Sequence, residues 1–298
     1  MSKLITAVIQ QAMTPDKAAN LAESKRLVTE AARAGAQLIL LPELHATRYF
    51  CQWETADNFS LAEALDGPTA QQLSQWAAEC KIILIGSIFE KRAPGIFHNT
   101  ALVFDEQGQR VGYYRKMHIP HDPGFYEKYY FTPGENPLGF SPISVGPLKL
   151  GVLVCWDQWF PEAARIMALK GAQLLLYPTA IGWDPNDSAE EQQRQTDAWI
   201  TIQRSHAVAN HLPVLVANRC GFEEDPTGAL SGSQFWGNSF IAGPQGEVLQ
   251  QANASDSQFL LAEIDLARTE KLRQIWPYFR DRRIDAYGEL LDRYSATP

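Results

Sequence analysis

A cysteine occupies a position that suits nucleophilic chemistry. Cys155 follows the apolar run 150–154, which we predict to be a strand, and precedes a helix that begins at Pro161. Ligand-binding and catalytic groups collect at the carboxyl ends of such strands, and a nearby helix start stabilises a thiolate through its dipole and free N–H groups. The alternative is a buried structural cysteine, which is the commoner role of this residue type.

An acidic and a basic side chain are candidate partners for this thiol. Glu43 follows the apolar strand 38–41, at what we interpret as the equivalent strand end of the first half of the chain. A carboxyl group beside buried apolar residues is a useful general base, because burial raises its pKa. Lys116 lies among aromatic and apolar residues, and a buried ammonium there needs an acidic partner such as Glu43. Taken singly, each is more readily explained as a surface residue.

Histidines offer a rival arrangement of Cys–His type. His118 is the first candidate for a dyad with Cys155, and His45 and His98 are further ones, although the sequence does not locate an orienting Asn or Asp. The His-x-x-His-Asp run that starts at His118 has no matching ligands elsewhere, so it is weak as a metal site. Because a glycine-rich phosphate loop is also absent from the sequence, we predict no metal and no cofactor.

The elements that position these residues form a diverged internal repeat. Residues 30–33 and 162–165 both read Glu-Ala-Ala-Arg, and each run leads through Gly-Ala-Gln into a short apolar strand that ends at proline. Glycine suits the left-handed position after a helix, and proline cannot continue a strand ladder. Each half then continues with a second helix, a strand and a hairpin, whose turn contains Gly108 in the first half and Gly246 in the second.

Strands made of apolar runs are typical of sheets that are buried on both faces. Two such halves predict an α/β (α+β) fold with two mixed sheets between helices, a four-layer α-β-β-α sandwich with an internal pseudo-twofold repeat. The stretch 120–147 lacks the composition of a linker, so we expect 1–298 to form one domain rather than two. Helix starts are predicted at Pro15, at Pro161 and after the cap Ser188.

Charge and hydropathy restrict the partners and the compartment. Lys and Arg number 26 against 34 Asp and Glu, a net charge of −8, which argues against nucleic acid as a partner. Apolar runs are far shorter than the roughly 18 residues that cross a membrane, and residues 1–13 lack a basic leader. The four cysteines are widely spaced, as free thiols are. We expect a cytoplasmic protein that binds a small molecule and neither nucleic acid nor membrane.

Three stretches taken together resemble the signatures of the nitrilase superfamily of carbon–nitrogen hydrolases, namely 41–43, 115–118 and 154–162. The likeness extends from residue 5 to about residue 287. This resemblance implies an α-β-β-α sandwich, independently of the repeat. Within the superfamily the chain is most similar to the N-carbamoylputrescine amidases, in the stretches 118–120, 126–134, 155–160, 177–182 and 217–219.

The resemblance also implies roles for particular residues. Cys155 matches the nucleophile and Glu43 the general base of a Glu-Lys-Cys triad. Lys116 matches the residue that stabilises the oxyanion, with help from the backbone N–H of Trp156. Glu127 matches a second glutamate that supports the site. These residue types suit the reaction, because the carbamoyl carbon of a urea-like group is a poor electrophile.

The expected substrate, N-carbamoylputrescine, carries an ammonium at its far end, which calls for carboxylates or aromatic faces in the pocket. The candidates are Tyr126, Trp183, Asp184, Asp187, Glu190 and Glu191, with Trp156 beside the thiol; Glu190 and Glu191 are also explained as charges in the first turn of a helix. Alternatives are another N-carbamoyl amide hydrolase, an aliphatic amidase or nitrilase, and a non-catalytic binding protein of the same fold. We expect a homo-oligomer, with the Arg- and aromatic-rich stretch 278–283 as a candidate contact.

Overall fold

A computed structural model describes residues 3–135 and 139–295, and its strands form two mixed sheets. In chain order the strands are β1 (Lys3–Ala12), β2 (Leu38–Leu40), β3 (Ile83–Ala93), β4 (Ile96–Phe104), β5 (Arg110–Arg115), β6 (Ile143–Val145), β7 (Leu148–Val152), β8 (Leu174–Pro178), β9 (Gly182–Trp183), β10 (Val214–Ala217), β11 (Arg219–Glu223), β12 (Ser233–Trp236), β13 (Phe240–Ala242), β14 (Val248–Gln251) and β15 (Gln258–Asp265). The first sheet has the order β5-β4-β3-β2-β1-β11-β12-β9, with β15 also paired to β1. The second has the order β14-β13-β10-β8-β7-β6.

Helices cover the outer face of each sheet. The helices of the described residues are α1 (Lys17–Arg33), α2 (Pro68–Cys80), the short α3 (Glu127–Tyr130), α4 (Pro161–Leu169), α5 (Ala189–Asn210) and α6 (Leu266–Ile275), and four of them form these outer layers. Helices α1 and α2 pack on the first sheet, α4 and α5 pack on the second, and β10 contacts β1 and β2 across the middle. The layer order is therefore α-β-β-α, which confirms the predicted fold class. Within the described ranges, no helix combines the length and the apolar character needed to cross a membrane.

The internal repeat is visible in the topology. In the first half β1, β2 and β3 are parallel, and β4 and β5 follow antiparallel. In the second half β7, β8 and β10 repeat the parallel set, and β13 and β14 repeat the antiparallel pair. Gly108 and Gly246 both have a φ of 76° in the two hairpin turns, a value that glycine adopts without strain. The predicted pseudo-twofold repeat is confirmed.

One part of the repeat prediction is wrong. The topology equates β2 with β8, so Thr179 rather than Cys155 stands at the place equivalent to Glu43. Cys155 follows β7, whose counterpart is β1. The two side chains nevertheless approach each other, because β2 and β7 belong to the two sheets that pack face to face.

Short apolar strands supply the core on both of their faces. In the segment 38–41, Leu38 and Leu40 belong to the cluster between the two sheets, whereas Ile39 and Leu41 belong to the cluster under α1 and α2. Successive side chains of a strand point to opposite faces, so both faces must be covered. The sequence pattern of uninterrupted apolar residues therefore follows from the layered architecture.

The predicted helix starts are correct in two of three places. Helix α4 begins at Pro161, and the Ser188 hydroxyl oxygen caps α5 by accepting a bond from the Glu191 N–H at 3.2 Å. The start predicted at Pro15 is wrong, because α1 begins at Lys17. Asp16 is its N-cap residue and accepts from the N–H groups of the first turn, as short acidic residues commonly do.

Candidate active site

Cys155 lies at a sharp turn between β7 and α4. A 3-10 helix, Cys155–Trp159, begins at the cysteine, whose φ of 42° is in the left-handed region that side chains other than glycine avoid. Cys155 is 4% exposed, and its Sγ lies 3.7 Å from the carbonyl oxygen of Ala180. The backbone N–H of Trp156 makes no hydrogen bond to the described residues, which leaves a donor available next to the thiol.

Asp157 holds this turn in place. Its Oδ2 accepts from the Val154 N–H at 2.9 Å and from the Tyr114 hydroxyl at 2.8 Å. Its Oδ1 accepts from the His118 N–H at 3.1 Å and lies 2.6 Å from Nδ1 of the same residue. Tyr114 and His118 flank Lys116 in the sequence, so one buried carboxylate fixes the cysteine turn relative to the segment that carries the lysine.

Lys116 joins two carboxylates in the interior. Its Nζ lies 2.8 Å from Glu43 Oε1 and 2.7 Å from Glu127 Oε2, and all three side chains are shielded from solvent. Glu127 begins α3 and also accepts from the Tyr49 hydroxyl, at 2.7 Å through Oε1. Glu43 Oε1 accepts a second bond from Asn99 Nδ2 at 2.6 Å, whereas Glu43 Oε2 has no partner among the described residues. The structure thus brings three of the four predicted catalytic residues into direct contact.

Burial and neighbouring charges set the protonation of these groups. Burial raises the pKa of the Cys155 thiol well above its usual value, the Glu43 charge raises it further, and Lys116 opposes the rise. Burial lowers the pKa of Lys116, but Glu127 and Glu43 more than offset that effect, so this pKa also lies well above its usual value. Burial raises the pKa of Glu127 against the lowering effect of Lys116. A thiol with a raised pKa needs a base before it can act as a nucleophile.

The main chain at Glu43 is held by a buried arginine. Arg219, at the start of β11, donates to the carbonyl oxygens of Glu43 at 3.0 Å, Leu44 at 2.6 Å and Thr47 at 2.9 Å. Leu44 has a φ of 49°, so the chain turns sharply directly after the glutamate. The charge of Arg219 is balanced by Glu223 at 2.9 Å, and both side chains are buried. This arrangement fixes the backbone from which the Glu43 carboxylate projects.

Cys155 and Glu127 open onto a cavity of about 470 Å³. Its walls carry the aromatic side chains of Phe125, Trp156, Trp159 and Trp236, and its acidic members are Asp122, Asp184 and Glu127. No Lys, Arg or His is among the described residues that line it. A cavity with aromatic faces and carboxylates suits an elongated ligand with an apolar middle and a cationic end.

Only some of the residues predicted to contact the substrate line the cavity. Trp156 and Asp184 line the cavity, but Tyr126 does not, and its ring packs against His121 with centroids 5.5 Å apart. Trp183 lines an adjacent recess instead. Of the remaining acids, Glu190 and Glu191 form ion pairs with Arg194 in the first turn of α5, and Asp187 accepts from Gln195 Nε2 at 3.0 Å. The helix-start explanation of the two glutamates is therefore the correct one.

The histidine alternative finds no support in the contacts of Cys155, whose described polar neighbour is a main-chain carbonyl. His118 bonds Asp157 and stacks on the Phe160 ring with centroids 3.7 Å apart. His98 bonds a main-chain carbonyl, and His45 lies beside a serine hydroxyl with a pKa that burial lowers to about 3. Among the residues that the structure describes, no three His, Cys, Asp or Glu side chains are arranged to hold a metal ion.

Comparison with known proteins identifies the family. The family model for carbon–nitrogen hydrolases matches residues 5–274. The chain belongs to the carbon–nitrogen hydrolase family. It is 41% identical to an N-carbamoylputrescine amidase of Oryza sativa, over 97% of this chain and 95% of that protein, and 39% identical to a citrullinase of Francisella tularensis, over 99% and 100%. A solved carbon–nitrogen hydrolase from Helicobacter pylori G27 matches with a TM-score of 0.95 and 49% identity, covering 98% of this chain and 100% of that one.

These matches confirm the resemblance to carbon–nitrogen hydrolases and the predicted class of enzyme, a hydrolase that acts on amides. The sequence analysis gave no role to three buried residues that hold the site of this carbon–nitrogen hydrolase together, Tyr49, Asn99 and Arg219, although Arg219 belongs to the stretch 217–219 that carries part of the resemblance. A signal was available for Asn99, because His-Asn-Thr interrupts the otherwise apolar strand Ile96–Phe104, and buried polar groups need partners. Nothing local in the sequence marks Tyr49.

Proposed function

We propose that this carbon–nitrogen hydrolase converts N-carbamoylputrescine into putrescine, carbon dioxide and ammonia through a covalent thioester on Cys155. The observation that carries the proposal is the cavity at Cys155, which combines aromatic walls with carboxylates and offers no cationic side chain among its described lining residues. A ligand with a cationic far end is favoured in such a cavity over one with an anionic end. The amidase relative from Oryza sativa, similar over nearly the whole chain, supports the same substrate.

In the first half of the reaction, Glu43 accepts the thiol proton while Cys155 Sγ bonds to the carbamoyl carbon. The oxyanion that forms is stabilised by the Lys116 ammonium and the free N–H of Trp156. Collapse of this intermediate breaks one carbon–nitrogen bond, and the proton held by Glu43 goes to the departing amine. The raised pKa of the buried thiol is the reason that a base must act in the same step.

In the second half, Glu43 takes a proton from water as the water oxygen attacks the thioester carbon. The tetrahedral intermediate releases the thiolate, which recovers the proton. The carbamic acid that results decomposes into carbon dioxide and an amine or ammonia. Either nitrogen can leave first with the same final products, so atoms balance in both orders. Glu127 keeps Lys116 oriented through the 2.7 Å contact to its Nζ.

Asp184 is our proposed contact for the distal ammonium of the substrate. Its Oδ1 accepts from the Asn186 N–H at 2.9 Å, which shapes the loop after β9, while Asp184 also lines the cavity. The faces of Trp156, Trp159 and Trp236 would cover the methylene chain and contribute cation–π attraction. Tyr126, which the sequence suggested for this role, has no place in the proposed contact.

Citrulline is the second candidate substrate. It shares the carbamoyl group, the spacer and the ammonium, and it adds a carboxylate; the relative from Francisella tularensis is named a citrullinase. Two indole N–H donors of the cavity, those of Trp159 and Trp236, are buried without an acceptor among the described residues. These unpaired donors favour an additional acceptor on the ligand.

The test is a substrate panel with ammonia release as the readout. The purified enzyme receives N-carbamoylputrescine, citrulline, N-carbamoyl-β-alanine, an aliphatic amide and a nitrile. We expect kcat/KM to be highest for N-carbamoylputrescine, by up to about fivefold, since Asp184 is exposed and an exposed charge interaction is worth at most about 1 kcal/mol. Equal values across the panel contradict the substrate, and full turnover by Cys155→Ala contradicts the mechanism. Citrulline as the best substrate selects the second candidate.

We further propose that 1–298 forms one domain of a cytoplasmic protein. The stretch 120–147, which lacks the composition of a linker, includes residues 136–138, which lie outside the described residues. Strands β1 and β2, which precede this stretch, pack against β10, which follows it. The cysteines Cys51, Cys80, Cys155 and Cys220 are free, which suits a reducing compartment. Limited proteolysis that yields two stable halves contradicts the single domain.

We also propose that copies of the chain associate near the C-terminus. In the stretch 278–283, Phe279 lies under the guanidinium groups of Arg165 and Arg273, at 5.1 and 5.4 Å, so this residue is used within the chain. Farther on, Leu291 and Tyr294 are 93% and 86% exposed, and large exposed apolar side chains in one segment are typical of contact surfaces. Light scattering tests the proposal, and the mass of a single chain at micromolar concentration contradicts it.

A further inference from the structure

We propose that Asn99 is a positioning residue that assigns different tasks to the two oxygens of Glu43, fixing Oε1 and leaving Oε2 as the proton acceptor. This inference rests on the proposed role of Glu43 as general base. The two oxygens of a free carboxylate are equivalent, so an enzyme that needs one basic lone pair in a defined direction must make them different. Here the difference is built by the donors that surround the carboxylate.

The hydrogen bonds of Glu43 are divided unequally. Oε1 accepts from Asn99 Nδ2 at 2.6 Å and from Lys116 Nζ at 2.8 Å. Oε2 is equally buried and has no hydrogen-bond partner among the described residues. A buried acceptor without a partner is destabilising, so its presence calls for a functional explanation. Removing a proton from a thiol or a water is a function that requires an unoccupied lone pair.

The orientation of the Asn99 amide is itself fixed. Its Oδ1 accepts from the Ser87 hydroxyl at 3.2 Å, so its NH₂ group faces Glu43. A flipped amide would place Oδ1 against a carboxylate oxygen and would leave Ser87 facing a donor. The assignment of nitrogen and oxygen, often ambiguous for asparagine, is therefore decided by its neighbours.

The backbone of Asn99 is tied to the same site. Its carbonyl oxygen accepts from the Lys116 N–H at 2.9 Å, which continues the pairing of β4 with β5 beyond Arg115. On β4, Asn99 shares a face with Ala101 and Val103, which lie in the cluster between the two sheets. One buried residue thus sets the main chain of the lysine and the side-chain rotation of the glutamate.

Removing the amide frees the carboxylate to rotate. In Asn99→Ala, Lys116 can bind either oxygen of Glu43 or both, and the lone pairs needed for the thiol proton become occupied. We expect kcat to fall about 10- to 100-fold, the range for losing a hydrogen bond to a charged group, while KM changes less than about threefold.

A second readout needs no substrate. Iodoacetamide alkylation of Cys155, quantified by mass spectrometry of the digested protein, reports how readily the thiol loses its proton. Cys80, a partly exposed free thiol on α2, serves as the reference in the same digest. We expect Asn99→Ala to slow alkylation of Cys155 and not of Cys80. Ser87→Ala removes only the hydrogen bond that orients the Asn99 amide. We therefore expect it to slow alkylation of Cys155 less than Asn99→Ala does, by about threefold.

The matched control is Asn210→Ala. Asn210 is a buried asparagine at the end of α5, where its Nδ2 donates to the His206 carbonyl oxygen. Asn210→Ala also loses a buried amide, but one outside the site. Its kcat and its rate of Cys155 alkylation should therefore match those of the wild type. Equal effects of the two asparagine substitutions on those readouts overturn the inference. If Asn99→Ala does not fold, Ser87→Ala decides, and a wild-type alkylation rate for it counts against the inference.

A double-mutant cycle separates this inference from the proposed function. If Asn99 acts through Glu43, adding Asn99→Ala to Glu43→Gln has no further effect on Cys155 alkylation. A further loss of the same size as in the single variant overturns the inference. Wild-type turnover by Glu43→Gln instead overturns the proposed function. An inactive Glu43→Gln together with a wild-type-like Asn99→Ala overturns only the role of Asn99.

Discussion

Removal of Lys116 tests both the chemistry and the stability of the buried charge cluster. The lysine is fully buried and contacts Glu43 at 2.8 Å and Glu127 at 2.7 Å. In Lys116→Met the side chain keeps a similar length, but two carboxylates remain in the interior without their cation. Breaking a buried ion pair by removing one partner costs about 3–5 kcal/mol, so we expect Tm to fall by roughly 10 °C. We also expect kcat to fall by roughly a thousandfold, the upper range for losing an oxyanion donor.

The stability loss should depend on pH with a definite sign. Lys116 lowers the pKa of Glu127, which burial already holds above its usual value, so the variant has a Glu127 pKa raised still further above the unfolded value of about 4.3. When the pKa of a carboxyl group is higher in the folded than in the unfolded state, its contribution to stability is fully present below the unfolded pKa. That contribution is lost as pH rises through the folded pKa. The Tm difference between Lys116→Met and wild type is therefore smaller at pH 5 than at pH 8.

Two further variants make this result interpretable. Lys128→Met removes an exposed lysine next to Glu127 and should change the unfolding free energy by less than about 0.5 kcal/mol. Lys116→Met with Glu127→Gln removes one of the stranded charges and should recover stability without recovering turnover. Thermal unfolding at both pH values and ammonia release are the assays. A Tm difference that is equal at pH 5 and pH 8, or turnover near the wild-type level, refutes the reasoning.

The remaining predictions concern the residues around this cluster. Tyr49→Phe removes the donor to Glu127 Oε1 and should cost about 1–3 kcal/mol of unfolding free energy, measured by urea titration. Arg219→Met leaves Glu223 buried without its cation and should cost about 3–5 kcal/mol in the same assay. Asp184→Asn should raise KM for N-carbamoylputrescine up to about fivefold, since the aspartate is exposed. Steady-state kinetics measure it, and the effect should shrink at high salt.

Each of these three predictions has a result that contradicts it. Unfolding midpoints of Tyr49→Phe and Arg219→Met that match the wild type show that the respective buried bonds are not made in solution. Arg219→Met should also recover when Glu223→Gln is added, because the stranded charge is then gone. For Asp184→Asn, an equal rise in KM for an uncharged aliphatic amide excludes a charge interaction with the distal ammonium.

Local sequence patterns predict the layers of the fold. Uninterrupted apolar strands such as 38–41, each closed by proline, and helices that end near glycine occur twice in the same order, and the two halves fold with the same strand order. These signals involve residues only a few positions apart, so they need no knowledge of packing. The prediction failed where a local signal was ambiguous. Pro15 reads as a first helical residue, but the carboxylate of Asp16 caps the helix start.

The same patterns did not show how the repeat is aligned in space. The sequence suggested that Glu43 and Cys155 follow equivalent strands, whereas the strand order makes Thr179 the counterpart of Glu43. Glu43 lies near enough to Cys155 for its charge to raise the pKa of the thiol. The two residues are brought together because the two sheets pack face to face, which no single repeat encodes. The sequence also did not show in which direction the side chain of Tyr126 points. Its neighbours Phe125 and Glu127 line the cavity while its own ring contacts His121.

The sequence by itself determined the two-sheet sandwich, its internal repeat and, through the resemblance, the candidate catalytic residues. Tertiary structure decided which polar atoms meet. Asn99 is 56 residues from Glu43, and Arg219 is 176 residues from the same glutamate, whose carbonyl oxygen it binds. A hydrophobic pattern is set by the period of one helix or strand, whereas a buried hydrogen bond depends on the direction of two side chains from distant elements. Only the packed molecule fixes that direction.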